Sequence, residues 1–406
     1  MAKMGAHTSA LSILRHRKIH RVNFLYQSKV GHSCLFPYSI DSALIFTYNL
    51  REKKEGEGMR PFHYASIRDK TWDSELLRLI AAIYKEAGKQ ELYLKQKPEE
   101  LEKLVEVAKI QSTEASNAIE GIITTNTRVR QLVEEKTTPK NRNEQEIAGY
   151  RDVLSIIHES FDVIPITQNY ILQLHKILYS HMDNPAAGRT KAVQNYISAT
   201  YPDGHTETLF TPLAPYETPD ALDRLCAEYN RVIGNGEVEP LIAIAIFIHD
   251  FLCIHPFNDG NGRMSRLLTT LLLYQNGFYV GKYISLEAKI AKNKDLYYEA
   301  LSASQEGWHE GKEDPVPFIK YLLGTILAAY KDFEDRVTLI EPKRSALDTV
   351  RLATKNKVGR FTKQDIRELC PSLSVSSIES SLRKLVDAGE LVRERAGRST
   401  RYYRNN

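Results

Sequence analysis

Twelve consecutive residues, His255-Pro256-Phe257-Asn258-Asp259-Gly260-Asn261-Gly262-Arg263-Met264-Ser265-Arg266, bring together an imidazole, a carboxylate, a glycine-flanked loop and two guanidinium groups. Asp259 is a hard oxygen ligand suited to a Mg²⁺ ion that bridges phosphates. His255 has the residue type that takes a proton from a hydroxyl near neutral pH. Arg263 and Arg266 can grip phosphate oxygens in bidentate fashion and hold charge that develops on a leaving diphosphate. Each residue alone has a plainer reading, as a satisfied core histidine or a solvated arginine at a helix corner. All twelve positions together describe transfer of a phosphorus-centred group from a nucleotide, since a turn between helices requires none of these residue types.

Two helices must position the loop. Upstream, Pro240 to Ile254 reads PLIAIAIFIHDFLCI, an apolar run long enough for a buried helix that ends before Pro256. Downstream, Arg263 to Tyr274 is helical again. The glycines therefore lie at a helix N-terminus, where unpaired backbone N–H groups and the helix dipole favour an anion. Arg263 and Arg266, three apart, share one face of that helix.

The stretch HPFNDGNGRMSR resembles the signature of the Fic family, His-x-Phe-x-(Asp/Glu)-Gly-Asn-Gly-Arg-x-x-Arg, at every defined position. The resemblance implies a mainly α fold, a Fic-type helical bundle with a small β-hairpin flap. The implied activity is that of a protein adenylyltransferase, which moves AMP from ATP to a Ser, Thr or Tyr hydroxyl of a target protein and releases pyrophosphate. On that resemblance His255 is the general base and Asp259 the Mg²⁺ ligand. Gly260, Asn261 and Gly262 cradle the α-phosphate, and Arg263 and Arg266 hold the β- and γ-phosphates. The related Doc kinases replace the Gly-Asn-Gly-Arg run, which is intact here and favours AMP transfer over phosphate transfer. Further along, Asn293 and Tyr297 match where family members contact adenine, although Tyr297 or Tyr298 serves equally well as core.

A second stretch, Ser116-Asn117-Ala118-Ile119-Glu120-Gly121, fits the family's inhibitory motif (Ser/Thr)-x-x-x-Glu-(Gly/Asn). Ser116 and Glu120 are four apart on one helix face, with Gly121 ending the helix. Taken bare, the pattern is an ordinary solvated helix end. N-terminal to a full signature, it implies a brake in which Glu120 pairs with Arg266. Two other activities compete: removal of AMP from a modified protein, with Glu120 positioning water, and a DNA-binding regulator that only senses nucleotide.

At 406 residues with 42% hydrophobic content, the chain has room for two or three domains. No apolar run reaches membrane-spanning length without a charge. The cysteines Cys34, Cys226, Cys253 and Cys370 lack CxxC spacing and read as free buried thiols of a cytoplasmic protein. Charge is uneven: net +5 over residues 1–58, −9 over 59–342 and +8 over 343–406. The middle has the charge of an acidic enzyme and the tail that of a partner for polyanions.

These features divide the chain into a poorly ordered or non-native extension (1–58), an N-terminal helical region with the inhibitory helix (59–135), a Fic core (136–338) and a tail (343–406). Met59 is the expected natural start. Asn141 and Thr167 are expected helix caps. Short strands around Val193–Ile197 and Thr208–Phe210, turning at Pro202-Asp203-Gly204, form the expected hairpin. It resembles the Fic flap, which holds a target backbone by strand addition.

In the tail, helices over Ser345–Thr354, Thr362–Leu369 and Val375–Ala388 precede two strands joined by an arginine-bearing turn. This resembles a C-terminal winged-helix domain that binds DNA or docks protein. Ser376, Ser377, Ser380, Ser381, Arg383 and Lys384 would face the major groove, and Arg395, Arg398, Arg401 and Arg404 the phosphates. A homodimer is expected from family habit alone.

Overall fold

The computed structural model describes residues 70–96, 98–200, 203–339, 345–355, 359–394 and 400–404, with isolated positions 62, 64, 67 and 357. The expectations for residues 1–58, Cys34 and the turn carrying Arg395 and Arg398 lie outside the described residues.

Helices α1 (Ser74–Gln96) and α2 (Pro98–Ile119) lead into α3 (Asn126–Val133), α4 (Arg142–Ser160) and α5 (Gln168–Leu178). Strands β1 (Ile197–Thr200) and β2 (Thr206–Phe210) follow, then α6 (Thr218–Gly234), α7 (Pro240–Ile254), α8 (Asn261–Gln275), α9 (Leu286–Lys292), α10 (Lys294–Gln305) and α11 (Val316–Leu339). The tail adds α12 (Ala346–Lys355), α13 (Lys363–Leu369), α14 (Val375–Asp387), β3 (Leu391–Glu394) and β4 (Arg401–Arg404).

The centre is α7, whose apolar sequence on every face matches burial on every face from Leu241 to Ile254. Pro240 occupies the first turn, where its missing N–H costs nothing, and Glu239 accepts the Ile242 N–H at 2.9 Å. Helices α6, α8, α10 and α11 pack around it. Asp250, a carboxylate inside this apolar helix, accepts from the Tyr64 hydroxyl at 2.9 Å and the Trp308 indole at 2.7 Å. Both oxygens are thus bonded, which offsets the cost of burying them.

Helix α2 lies against α4 and α9 and reaches α8, while α1 packs on α11. The expected caps are present: Asn141 accepts from Glu144 N and Thr167 from Tyr170 N. Where α4 crosses the end of α5, Gly149 has no room for a side chain. A Cβ there would lie 1.9 Å from the Leu178 carbonyl oxygen.

The hairpin forms, but its first strand begins at Ile197 rather than Val193. The chain from Lys191 to Asn195 bonds to the end of α7 and the α7–α8 loop instead of to β2. Asp203 and Gly204 make the turn, Gly204 at φ +83°.

The tail follows the expected order of three helices and a two-stranded antiparallel ribbon, with a capping box between Thr362 and Asp365. Val350, Phe361, Ile366, Ile378, Leu382, Leu385 and Leu391 form a core separate from that of the bundle. Ser376, Ser380, Arg383 and Lys384 are exposed and Ser377 half-buried, as are Arg401 and Arg404 exposed on β4. Ser381 departs from the expectation: it is buried on the same stripe as Ile378 and Leu385 and faces the tail's own core. Gln111 of α2 donates to Glu368 of α13 at 3.2 Å. Among the described residues Cys226, Cys253 and Cys370 are buried and form no disulfide, and no helix is long and apolar enough to cross a membrane.

Candidate active site

The loop between α7 and α8 is set by two backbone departures. His255 ends α7 in the left-handed region at φ 52°, an uncommon conformation for a residue with a Cβ, and Gly260 enters α8 at φ 84°. No side chain caps α8, so the donors of its first turn remain available to an anion. Asn261 staples the loop: its amide accepts from Phe257 N at 2.9 Å and donates to Phe257 O at 2.7 Å. Its side chain therefore shapes the cradle, and only its backbone is left to contact a phosphate.

His255 is buried, and its Nδ1–H donates to the Leu252 carbonyl at 3.1 Å. That bond assigns the proton to Nδ1 and the basic lone pair to Nε2. Burial brings the imidazole pKa down to about 3, against the pull of the Leu252 carbonyl and with help from the nearby Lys191 charge. At neutral pH the ring is neutral, the form that accepts a proton.

Asp259 opens outward, its side chain half exposed. Its Oδ2 accepts from the Tyr179 hydroxyl at 2.7 Å and its Oδ1 from Gly260 N at 2.7 Å. Burial by itself would raise this carboxyl's pKa, but Arg263, Tyr179 and the Gly260 N–H outweigh it and hold the pKa below the usual value. The ring of His175 stacks on Phe257 with centroids 3.7 Å apart, and its Nε2–H donates to the Asp259 carbonyl at 3.1 Å.

Arg263 is 1% exposed. It donates to the Tyr179 hydroxyl at 2.8 Å and lies 2.9 Å from Glu146 Oε2, yet its Nε and Nη1 have no aligned hydrogen-bond acceptor. Buried guanidinium N–H groups left over beside a helix N-terminus fit an oxyanion ligand. Among the described residues no three His, Cys, Asp or Glu side chains converge on a metal position. A divalent cation would thus depend on the one carboxylate of Asp259 plus oxygens brought by a ligand.

Arg266 meets the C-terminal end of α2. Its Nε donates to Ser116 Oγ at 2.8 Å, and its Nη2 to Ser116 O at 3.0 Å and Glu120 Oε1 at 2.7 Å. Both partners are largely out of water, with 4% and 13% side-chain exposure. Helix α2 ends at Ile119, so Glu120 stands just beyond it; Gly121 at φ +78° reverses the chain, and Ile122 N returns to Asn117 O. Gly262 makes room for the pair, because a Cβ there would lie 2.3 Å from Glu120 Oε1. Lys294 donates to the Ile119 carbonyl at 2.7 Å, where the helix dipole favours a cation. Of the two adenine candidates, Asn293 is exposed between α9 and α10, while Tyr297 is buried with Tyr298, Phe318 and Tyr321.

Residues 165–273 match the Fic/DOC family model. The chain carries a Fic/DOC domain. The protein adenylyltransferase Fic of Nematostella vectensis is 25% identical over 232 residues, which cover 55% of this chain and 48% of that protein. Its namesake from Drosophila yakuba is 28% identical over 214 residues, 51% of this chain and 38% of that one. This chain therefore aligns with about half, or less, of the length of these relatives. Among solved structures, a Fic family protein from Desulfovibrio desulfuricans covers 83% of this chain and 97% of its own at 21% identity, with a TM-score of 0.53. That likeness shows a shared fold.

Within the Fic domain, the motif residues converge as the sequence analysis expected, but their supports were missed. Tyr179, Glu146, His175, Lys191 and Asn195 all lie outside the signature. The available signal was the clustering of polar residues in Gly188-Arg189-Thr190-Lys191 and Gln194-Asn195, just where a flap begins.

Proposed function

We propose that the chain is a protein adenylyltransferase that moves AMP from ATP to a hydroxyl side chain of a target protein and is restrained by Glu120. The observation that carries this reading is the uncapped N-terminus of α8 with the buried Arg263 in its first turn, whose Nε has no acceptor, in the same loop–helix unit as a neutral His255. In the reaction, His255 Nε2 takes the proton of the target hydroxyl as its oxygen attacks the α-phosphorus. The bond from that phosphorus to the bridging oxygen breaks, and pyrophosphate leaves with the electron pair. The N–H groups opening α8 hold the α-phosphate, and Arg263 neutralises charge on the leaving group. Asp259 would hold Mg²⁺, which when bound screens the phosphate charges. Glu120 keeps Arg266 from the terminal phosphate.

In the hairpin β2 is largely exposed, while β1 is half-buried at Ile197 and Ser198 and buried at Ala199, and the exposed strand offers a backbone edge to an extended target segment. The tail, with its own core and exposed Arg383, Lys384, Arg401 and Arg404, supports a winged-helix reading and a polyanionic partner such as DNA.

The test is incorporation of α-³²P label from ATP into protein with Mg²⁺, comparing the unaltered chain, Glu120→Gly, and Glu120→Gly with His255→Ala. Label that appears in the single variant and vanishes in the double one is expected. Removal of label from a pre-modified protein, without incorporation, would transfer the reading to AMP removal.

A further inference from the structure

The four consecutive carbonyl oxygens at positions 254 to 257, spanning the end of α7 and His255 itself, each accept a hydrogen bond from one of two residues at the root of the flap, and that of Phe257 accepts a second from Asn261. Lys191 Nζ donates to Ile254 O at 3.0 Å and Lys191 N to Pro256 O at 2.8 Å. Asn195 Nδ2 donates to His255 O at 3.2 Å and to Phe257 O at 3.0 Å. The two residues are joined to each other, Lys191 Nζ to Asn195 Oδ1 at 2.8 Å. Between them, Gln194 Nε2 donates to the carbonyls of Asn195 and Pro212, tying the two roots of the hairpin together.

We infer that Lys191 and Asn195 are positioning residues that lock the left-handed backbone of His255 and fix the flap in register with it. The physical need is plain. His255 at φ 52° holds a conformation that costs free energy and persists only where its surroundings over-determine it. The last carbonyls of α7 would otherwise lack partners in a buried place, and an amino group at a helix C-terminus meets both the hydrogen-bonding need and the dipole. Lys191 is 2% exposed, a rare setting for lysine that calls for such partners. Burial lowers its pKa to about 7, with Glu217 opposing the shift. The amine remains a donor in either protonation state, so the lock holds through neutral pH. A target segment paired with β1 or β2 is thereby carried on the same rigid piece as the imidazole that must meet its hydroxyl.

The catalytic consequence rests on the function proposed above, so the test is made in the Glu120→Gly chain, with loop order measured separately. Lys191→Met is expected to lower kcat for AMP transfer about 100-fold, the scale of a misplacement near one ångström, with the ATP dissociation constant unchanged. Lys191→Arg, which keeps a cation and donors, recovers most of that loss. Asn195→Ala lowers kcat in the same way, and the double variant is no worse than the poorer single, because both act on one unit. Hydrogen exchange across residues 255–260 is faster in Lys191→Met than in its parent.

A folded Lys191→Met chain with parental kcat overturns the inference, and so does parallel loss of kcat and ATP affinity that Lys191→Arg fails to rescue. If Lys191→Met does not fold, Asn195→Ala decides by the same readings. If the Glu120→Gly parent transfers no AMP, the function reading fails instead, and unchanged exchange in the loop is then what removes the lock.

Discussion

Replacing Glu120 by Gly tests the brake most directly. In the resting site Arg266 has three acceptors, Glu120 Oε1 at 2.7 Å and two atoms of Ser116. A terminal phosphate must take the Nη2 donor from Glu120 and must also approach a carboxylate of its own sign. A charge-assisted hydrogen bond contributes about 1.5–3 kcal/mol, and about 1.4 kcal/mol is a factor of ten. Freeing Arg266 should therefore raise productive ATP use by about 10- to 100-fold. The assay is initial-rate incorporation of α-³²P label at subsaturating ATP, with binding measured by calorimetry.

The same substitution has a cost in the absence of ATP. Removing one partner of a buried pair destabilises by about 3–5 kcal/mol when the other charge is abandoned. Here the Ser116 contacts remain, so the loss should fall below that range. Melting should occur at lower temperature without nucleotide and recover more with ATP than in the unaltered chain. Equal or lower transfer in Glu120→Gly, together with unchanged ATP affinity, would refute the reasoning, because it would mean that Arg266 is not the contested group.

Other consequences are equally concrete. Lys294→Met removes the bond to the Ile119 carbonyl and should loosen the end of α2, giving partial activation smaller than that of Glu120→Gly in the same label assay. Asp259→Ala, or chelation of divalent metal, should abolish transfer by either the Glu120→Gly or the unaltered chain. Retained transfer in EDTA would remove Mg²⁺ from the scheme. Gly149→Ala forces a Cβ against the Leu178 carbonyl and should lower stability by more than the about 1–3 kcal/mol usual for overpacking, since backbone must move; denaturant titration reads this.

His255, His158 and His175 are held neutral by burial, with pKa values near 3, 3 and 4. The unfolded chain binds protons at these rings below about pH 6.5, whereas the folded chain does not. Stability present above that pH is therefore lost as pH falls from about 6.5 toward 3–4, and thermal melts at pH 7 and pH 5 should differ accordingly. A melting temperature independent of pH across that interval would contradict the buried neutral state.

Much of the site was legible because its chemistry is local in sequence. The residues from His255 to Arg266 run from the end of α7 through one turn into the start of α8, so their spacing alone places them together. The caps at Asn141, Thr167 and Thr362 were readable for the same reason, being short-range bonds. What could not be read was long-range support. Tyr179 meets Asp259 and Arg263 from about 80 positions away, and its residue type suits an ordinary helix end. The hairpin was expected four residues early because Val193 to Ile197 alternates like a strand, yet Lys191 and Asn195 bond the end of α7 and the α7–α8 loop, and pairing starts at Ile197. Ser381 was assigned to a surface because serine is polar; the helix period sets it on the stripe of Ile378 and Leu385. Polarity misled there, and periodicity would have corrected it.

The charges around the anion seat explain why one glutamate can govern it. Arg142, Arg263, Arg266 and Lys294 stand among Asp259, Glu146 and Glu120, four cations with three carboxylates drawn from five different segments. Glu120 nonetheless occupies Arg266, so a nucleotide polyphosphate would meet a carboxylate of its own sign at that end of the seat. Removing Glu120 adds to the positive charge of the seat and releases the Arg266 donor that it held. A bound divalent cation at Asp259 shifts the balance in the same direction. Both changes favour the triphosphate by the same electrostatic means but act at opposite ends of it, so their effects on ATP affinity should add. By contrast, Glu146 is packed against Arg263 itself, and neutralising it leaves that guanidinium without its buried counter-charge. Glu146→Gln should therefore lower stability without the activation that follows loss of Glu120, which separates a carboxylate that builds the site from one that closes it.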